Sequence, residues 1–219
     1  MPAIVFDLDG TLVDTESQWD VVRRALAREA GIPWPEGATQ AMMGMSTPEW
    51  GAYLAEVVGF PYGPEESARR TIAGMVEHYR EGVALLPGAL DAVHRMAERY
   101  PLAIASSSPR LLIDTFLDVM GLTDVIRVSV STEEVERGKP APDGFLRACD
   151  LLGVAPTAAV AVEDSTNGIA SALAAGMAVV VVPPHFHPPS AEVLSLTTVI
   201  DSLDDLTHEL VDGITPAAT

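Results

Sequence analysis

Four short polar clusters in the sequence carry the side chains that are best suited to chemistry. They are Asp7-Leu8-Asp9-Gly10-Thr11, Ser106-Ser107-Ser108, Gly138-Lys139-Pro140 and Glu163-Asp164-Ser165. A carboxylate can attack phosphorus to form a covalent intermediate, and a second carboxylate can transfer the protons. Hydroxyl and ammonium groups can stabilise the charged oxygens of such an intermediate. Together these residue types predict phosphoryl transfer through an aspartyl phosphate.

Each cluster is expected to have its own role in that reaction. We expect Asp7 to be the nucleophile and Asp9, two residues later, to be the general acid and base. Ser106 is expected to donate a hydrogen bond to the phosphoryl oxygens, and Lys139 to neutralise charge beside the acyl phosphate. Lys139 is the only lysine of the chain, which otherwise uses arginine.

The acidic side chains of these clusters also predict a metal ion. Carboxylates so close together would repel a phosphate dianion unless a cation joined them. Mg²⁺ prefers oxygen ligands and supplies that charge. We therefore expect a Mg²⁺ site that draws on Asp7, Asp9, Glu163 and Asp164, with Glu163 acting through water or as a support.

Five apolar segments are expected to form the strands that position these clusters. They are rich in Val, Ile and Ala without alternation, as is typical of parallel strands covered on both faces. The segments are Ala3–Phe6, Leu102–Ala105, Ile126–Val130, Ala158–Val162 and Ala178–Val182. The sequence thus predicts an α/β fold with a doubly wound parallel sheet, and the polar clusters follow the first four strands. Ser108, before Pro109, is expected to cap one of the following helices, and either Ser165 or Asp164 to cap another.

A long segment without a convincing strand separates the first two predicted strands. Its helical patterns cover Glu16–Ala30, Pro48–Val58, Pro64–Arg80 and Gly88–Arg99. The last of these helices is assigned to the sheet, because Leu86-Pro87-Gly88 is typical of a return linker. We therefore expect a helical cap at residues 16–84, inserted after the first strand, and a core of residues 1–15 and 85–219. An insertion at this point would cover the edge where ligands of such folds bind.

The composition disfavours several classes of partner. Asp and Glu number 31 against 13 Lys and Arg, and the formal net charge of −18 disfavours nucleic acid and anionic membranes. The longest uncharged apolar stretch, Ile169 to Val182, falls short of the roughly 20 residues that span a bilayer.

The single cysteine, Cys149, is typical of a reducing compartment and sits in an amphipathic run that predicts a buried structural thiol. We expect a cytoplasmic monomer that acts on a small phosphorylated metabolite.

The ordered motifs resemble those of the haloacid dehalogenase superfamily, specifically its capped phosphatases and β-phosphoglucomutase-like members. The resemblance extends over essentially the whole chain. It rests on Asp7-Leu8-Asp9-Gly10-Thr11, on Ser106, on Lys139 within Gly-Lys-Pro-Ala-Pro-Asp, and on Glu163-Asp164-Ser165. It implies the roles of nucleophile, acid and base, phosphate binder, charge neutraliser and Mg²⁺ ligand. It also implies a Rossmann-like core with a mobile helical cap.

Further substrate contacts are expected from both predicted domains. The candidates are Thr11 and Ser107 in the core, and Gly44, Met45 and Ser46 in a loop of the cap. No Lys, Arg or His occurs from Glu29 through Ala68, which favours an uncharged leaving group such as a sugar or polyol. A charged substrate stays possible through three cations elsewhere, namely Arg69, Arg70 and Arg110.

The leading competing hypothesis is a sugar-phosphate mutase of the β-phosphoglucomutase type, which must hold a second phosphate in its cap. In that mutase an arginine of the cap loop does so, whereas the corresponding loop here reads Met43-Gly44-Met45-Ser46-Thr47. Trp19 occupies the position of the mutase's histidine in the first helix. Both departures favour hydrolysis.

Several further classes of protein fit the motifs less well. A phosphonate hydrolase is disfavoured because the predicted cap contains no lysine, and a dehalogenase because Asp9 is present. A receiver-like phospho-acceptor or a binding module would not need Asp9, since only catalysis requires an acid there. A metal site at His185 and His187 is disfavoured because proline-rich segments usually run extended over a surface.

Overall fold

The computed structural model describes residues 2–42, 45–184 and 188–214. The chain divides into two compact units, Met1–Asp14 with Ala84–Thr219, and Thr15–Val83. Within the described ranges, no helix combines the length and the apolar composition of a bilayer span.

The first unit is built on a sheet of six parallel strands. The strands are β1 (Ala3–Phe6), β2 (Leu102–Ser106), β3 (Ile126–Ser131), β4 (Ala159–Glu163), β5 (Ala178–Val181) and β6 (Thr198–Val199), in the order β3-β2-β1-β4-β5-β6. Ile4 of β1 pairs with Leu102 on one side and Val160 on the other. The strand order therefore reverses beside β1, and such switch points are where ligands bind in open α/β sheets. The predicted doubly wound sheet is confirmed.

The second unit is helical and has a core of its own. It contains α1 (Glu16–Glu29), α2 (Ala38–Met42), α3 (Thr47–Tyr53) and α4 (Pro64–Glu81). The core is lined by Trp50, Leu54 and Phe60. The predicted helix Pro48–Val58 is thus divided, because its last five residues form a π-helical turn that ends at Gly59 with φ +88°. Glycine adopts this left-handed conformation without the usual steric cost.

In the part of the chain that the structure describes, six further α-helices accompany the sheet. They are α5 (Ala89–Ala97), α6 (Arg110–Val119), α7 (Asp143–Leu152), α8 (Thr166–Ala174), α9 (Ala191–Leu194) and α10 (His208–Ile214). All residues of β1, β2 and β4 are buried. Phe145 and Cys149 of α7 pack with Ile169 of α8 against these strands. Cys149 is buried as predicted, and burial raises the pKa of its thiol to about 11.

Candidate active site

The carboxyl end of the central strand β1 places Asp7 within the candidate site. The Asp7 N–H still donates to the Val162 carbonyl of β4, at 2.9 Å, so the sheet fixes this residue. The chain then turns at Gly10, whose φ is +85°. A Cβ on Gly10 would lie 2.3 Å from Asp164 Oδ2. Only glycine therefore allows this turn beside the carboxylates.

Lys139 lies between two carboxylates. Its ammonium group donates one hydrogen bond to Asp7 Oδ1 and another, of 2.6 Å, to Glu163 Oε1. Burial by itself lowers the pKa of Lys139, but the attraction of Asp7 and Glu163 outweighs burial and raises it. Lys139 is therefore charged at neutral pH and holds these two carboxylates together.

Glu163, the last residue of β4, is fully buried and is held by hydrogen bonds on both oxygens. Its Oε2 accepts the N–H groups of Asp164 (2.9 Å) and Ser165 (3.0 Å) and the Ser165 hydroxyl (3.1 Å). Ser165 also accepts the Gly168 N–H at 3.0 Å, which confirms its predicted cap on α8. Glu163 thus fixes Lys139 and the start of α8 together.

Asp7, Glu163 and Asp164 form a group that could hold a metal ion. Each offers a carboxylate oxygen, and these three oxygens lie within 4.8 Å of one another. Burial raises the pKa of Asp7 well above its usual range, against the attraction of Lys139. Burial, reinforced by Glu163, raises the pKa of Asp164 to about 7. One ammonium group does not neutralise three buried carboxylates, and their hard oxygen donors fit Mg²⁺.

The Asp9 side chain lies outside this acidic group and contacts serines instead. Its Oδ2 accepts the hydroxyls of Ser106, at 3.1 Å, and Ser108, at 2.6 Å. The predicted cap at Ser108 is wrong, because α6 begins at Arg110 and its N-cap residue is Pro109, without a side-chain bond. Pro109 is extended, with ψ 143°, so Ser108 lies one residue too early to cap the helix.

The other predicted substrate contacts stay predictions, and the structure places them as follows. Thr11 is buried and its hydroxyl donates to Asp164 Oδ1 at 3.3 Å, so it supports a carboxylate. Ser107 is exposed. Met45 packs on the core of the helical unit, whereas Ser46 is exposed and donates its N–H and its hydroxyl to Glu49. Gly44 lies outside the described residues, as do His185 and His187.

Sequence reasoning missed the contact between Ser108 and Asp9. A signal for it exists, because side chains two residues apart in an extended segment point to the same side. Ser106 and Ser108 have this spacing, so the placement of one beside Asp9 indicates the other. The local preference for serine before a helix hid this pattern.

Comparison with known proteins agrees with the motifs. The sequence model of the haloacid dehalogenase-like hydrolases matches residues 1–176. Hexitol phosphatase A of Escherichia coli (strain K12) is 32% identical over 208 residues, covering 93% of this chain and 92% of that protein. Fructose-1-phosphate phosphatase YqaB of the same organism is 31% identical over 174 residues, covering 80% and 92%.

A solved structure shows the same fold. The crystal structure of CbbY from Rhodobacter sphaeroides in complex with phosphate matches with a TM-score of 0.83 at 25% identity, covering 97% of this chain and 99% of that chain. The resemblance found in the sequence is therefore confirmed over most of the chain. This protein belongs to the haloacid dehalogenase-like hydrolases and is an enzyme of that family.

Proposed function

We propose that this enzyme is a Mg²⁺-dependent phosphatase that hydrolyses a small phosphomonoester, a sugar or polyol phosphate, through an aspartyl phosphate on Asp7. One observation carries the proposal. The Asp7 carboxylate is buried at the end of the central strand and bound to the chain's only lysine, with Glu163 and Asp164 beside it. The sugar and hexitol phosphatases among its relatives support this choice of substrate.

The first half of the proposed reaction transfers the phosphoryl group to Asp7. An Asp7 carboxylate oxygen attacks phosphorus, and the bond from phosphorus to the alcohol oxygen breaks. The Asp9 carboxyl group gives its proton to that oxygen, so the product leaves as a neutral alcohol. Lys139, already bound to Asp7, offsets the negative charge beside the acyl phosphate.

The second half returns the enzyme to its starting state. The Asp9 carboxylate takes a proton from a water molecule, whose oxygen attacks phosphorus. The bond from phosphorus to the Asp7 oxygen breaks, inorganic phosphate leaves, and Asp9 is protonated again. Ser106 donates to the phosphoryl oxygens in both halves. This role requires its hydroxyl to turn from Asp9, which it contacts at 3.1 Å.

The metal would be held by the carboxylates of Asp7 and Asp164. When bound, Mg²⁺ polarises the phosphoryl oxygens and neutralises charge. We propose that Glu163 supports the site without binding the metal, because its Oε2 already accepts three hydrogen bonds. The Asp9 carboxylate is directed at two serines, so its side chain serves proton transfer.

The charges of the described residues support an uncharged leaving group. The three cations that the sequence offered as candidates for a charged substrate are all in ion pairs: Arg69 and Arg70 with Glu66, and Arg110 with Asp114 and Glu134. Residues 16–84, which we propose to be the family's cap, also contain Arg23. Its guanidinium lies 5.0 Å from the Trp19 ring centroid and 5.1 Å from that of Trp50, so it packs within the helical unit's interior.

The mutase hypothesis has less support. Trp19 stands where that mutase has a histidine, and its ring packs against Trp50 with centroids 5.7 Å apart. An indole used for packing cannot replace an imidazole that transfers protons. Hydrolysis therefore stays the better proposal.

We further propose a cytoplasmic enzyme that acts as a monomer and binds neither nucleic acid nor membranes. The net charge of −18 and the single buried cysteine support this environment. Sedimentation velocity of the purified enzyme would test the monomer, and a second species of twice the mass would contradict it.

The test is an activity assay of the wild type and of Asp7→Asn. The substrates would include fructose 1-phosphate, a hexitol phosphate, a sugar bisphosphate and β-glucose 1-phosphate, each with Mg²⁺ and with EDTA. We expect phosphate release that requires metal and falls more than about 10³-fold in Asp7→Asn. Asp118→Asn, which changes an exposed carboxylate of α6, is the matched control and should retain wild-type activity.

Several outcomes would contradict the proposal. Turnover without metal would remove Mg²⁺ from the mechanism, and full activity of Asp7→Asn would remove the nucleophile. Preference for the bisphosphate would contradict the neutral leaving group. Conversion of β-glucose 1-phosphate to glucose 6-phosphate without net phosphate release would establish the mutase instead.

A further inference from the structure

The two oxygens of the Asp9 carboxylate have different surroundings. Oδ2 accepts hydrogen bonds from the hydroxyls of Ser106 and Ser108. Oδ1 is buried and has no hydrogen-bond partner among the residues that the structure describes. A buried carboxylate oxygen without a partner is unfavourable, because its desolvation is uncompensated. An arrangement that anchors one oxygen and leaves the other free therefore needs an explanation.

The loop after β2 fixes Ser108 from both sides of its backbone. The Ser108 N–H donates to Ser106 Oγ at 2.9 Å, and the Ser108 carbonyl accepts the Ser131 hydroxyl at 2.7 Å. Ser131 is itself fully buried at the end of β3, and its N–H donates to Glu134 Oε2 at 2.8 Å. The backbone of Ser108 is thus tied to the neighbouring strand. Its hydroxyl contacts Asp9 from a rigid support.

The two serines cannot hold Asp9 equally during the reaction. Each hydroxyl has one proton to donate. In the proposed function the Ser106 hydroxyl donates its one hydrogen bond to the phosphoryl oxygens, so its hydrogen bond to Asp9 is lost when substrate binds. Ser108 has no such task, and its 2.6 Å bond to Asp9 Oδ2 is the shorter of the two.

We propose that Ser108 is a positioning residue that anchors Oδ2 of Asp9 and so keeps Oδ1 as the oxygen that exchanges protons with the leaving group and with water. This inference rests on the proposed function. As the phosphorus–alcohol bond breaks, Oδ1 gives its proton to the alcohol oxygen, and it later takes one from water. Ser108 neither gains nor loses a proton in either step. A carboxyl group that is already held in the reactive orientation transfers protons without a further entropic cost of orienting the group.

The experiment compares three variants of Ser108 in the holoenzyme. Ser108→Ala removes the hydroxyl, Ser108→Cys keeps a similar size with a weak donor, and Ser108→Thr keeps the hydroxyl. With the preferred sugar phosphate, we expect kcat to fall about 10- to 100-fold in the first two variants with KM nearly unchanged. The threonine variant should stay within about threefold of the wild type. Thr115→Ala, which removes another buried hydroxyl, on α6, controls for general damage.

A second substrate separates positioning from structural damage. p-Nitrophenolate is a good leaving group that needs little protonation. Release of p-nitrophenol in the first turnover should therefore be similar in Ser108→Ala and the wild type, followed by slow turnover because water activation still needs Asp9. An equal loss of first-turnover release and of sugar-phosphate kcat would show general damage and overturn the inference.

The outcomes also separate this inference from the proposed function. Wild-type kcat in Ser108→Ala, with Asp7→Asn inactive, would overturn the role of Ser108 alone. A wild-type enzyme without Asp7-dependent turnover would overturn both. Loss of kcat in the threonine variant at an unchanged melting temperature would show that the hydroxyl is not what matters, and would also overturn the inference.

Discussion

At the scale of single residues, one ammonium group offsets the negative charge of the carboxylates that are buried in the candidate site. Lys139 binds Asp7, at the end of β1, and Glu163, at the end of β4, through the same nitrogen atom. A compact ammonium group can approach two carboxylates that converge on one point, whereas the planar guanidinium of arginine holds its donors in a rigid fork. This geometry gives a physical reason for a lone lysine in a chain that otherwise uses arginine.

Replacing this lysine should destabilise the fold even before catalysis is considered. Lys139→Met leaves two buried carboxylates without their partner, and we expect the free energy of unfolding to fall by about 3–5 kcal/mol in metal-free buffer. Urea denaturation followed by circular dichroism would measure it. Adding Glu163→Gln to Lys139→Met should recover part of the loss, since it removes one unpaired charge.

An exposed ion pair provides the matched control. Arg147 binds Asp150 at 2.7 Å, with 51% and 71% of the two side chains exposed, so Arg147→Met should change stability by less than about 1 kcal/mol. A loss in Lys139→Met no larger than in this control would contradict the structural role of the buried ammonium group.

At the scale of elements, α8 approaches the end of β4 so closely that one helix position must be glycine. A Cβ on Gly168 would lie 1.7 Å from Glu163 Oε1. The same oxygen accepts the Lys139 ammonium. The packing of α8 therefore sets the position of the carboxylate that in turn holds the lysine.

Gly168→Ala should thus destabilise the enzyme although alanine is the better helix former. Helix propensity favours alanine by about 1 kcal/mol, but overpacking against Glu163 opposes it by about 1–3 kcal/mol or more. We expect a lower melting temperature and reduced kcat. Gly144→Ala in α7 is the control, because a Cβ there meets nothing within 4 Å. It should be neutral or slightly stabilising, and an equal loss in both variants would contradict the argument from close packing.

The elements also show what sequence reasoning could and could not reach. The central strands were predictable because burial on both faces demands continuous Val, Ile and Ala, and β1 has the predicted bounds. β6 contains only Thr198–Val199, too short for any pattern. Ser108 was misassigned because local helix chemistry favoured a cap, whereas its partner Asp9 lies 99 residues away in sequence. Local signals thus indicated the residues of the candidate site, and contacts distant in sequence determined how the structure arranges them.

At the scale of the whole molecule, the net charge repels an anionic substrate, whereas the cations of the candidate site attract it. The chain carries −18, and its proposed substrate is an anion. Asp7, Asp9, Glu163 and Asp164 are all negative when ionised, and Lys139 with a bound Mg²⁺ returns three positive charges. Neutralisation is therefore local, while the long-range field repels the substrate as it approaches.

This opposition predicts an unusual dependence on salt. The Debye length falls from about 30 Å at 0.01 M to about 8 Å at 0.15 M ionic strength, which screens the distant charges but not the contacts within the site. We expect kcat/KM for a sugar phosphate to rise about two- to tenfold over this range at constant Mg²⁺. NaCl and KCl should act alike, and inhibition by the neutral alcohol product should not change. A fall in kcat/KM would instead show that a local positive potential guides the substrate, because screening would then weaken an attraction.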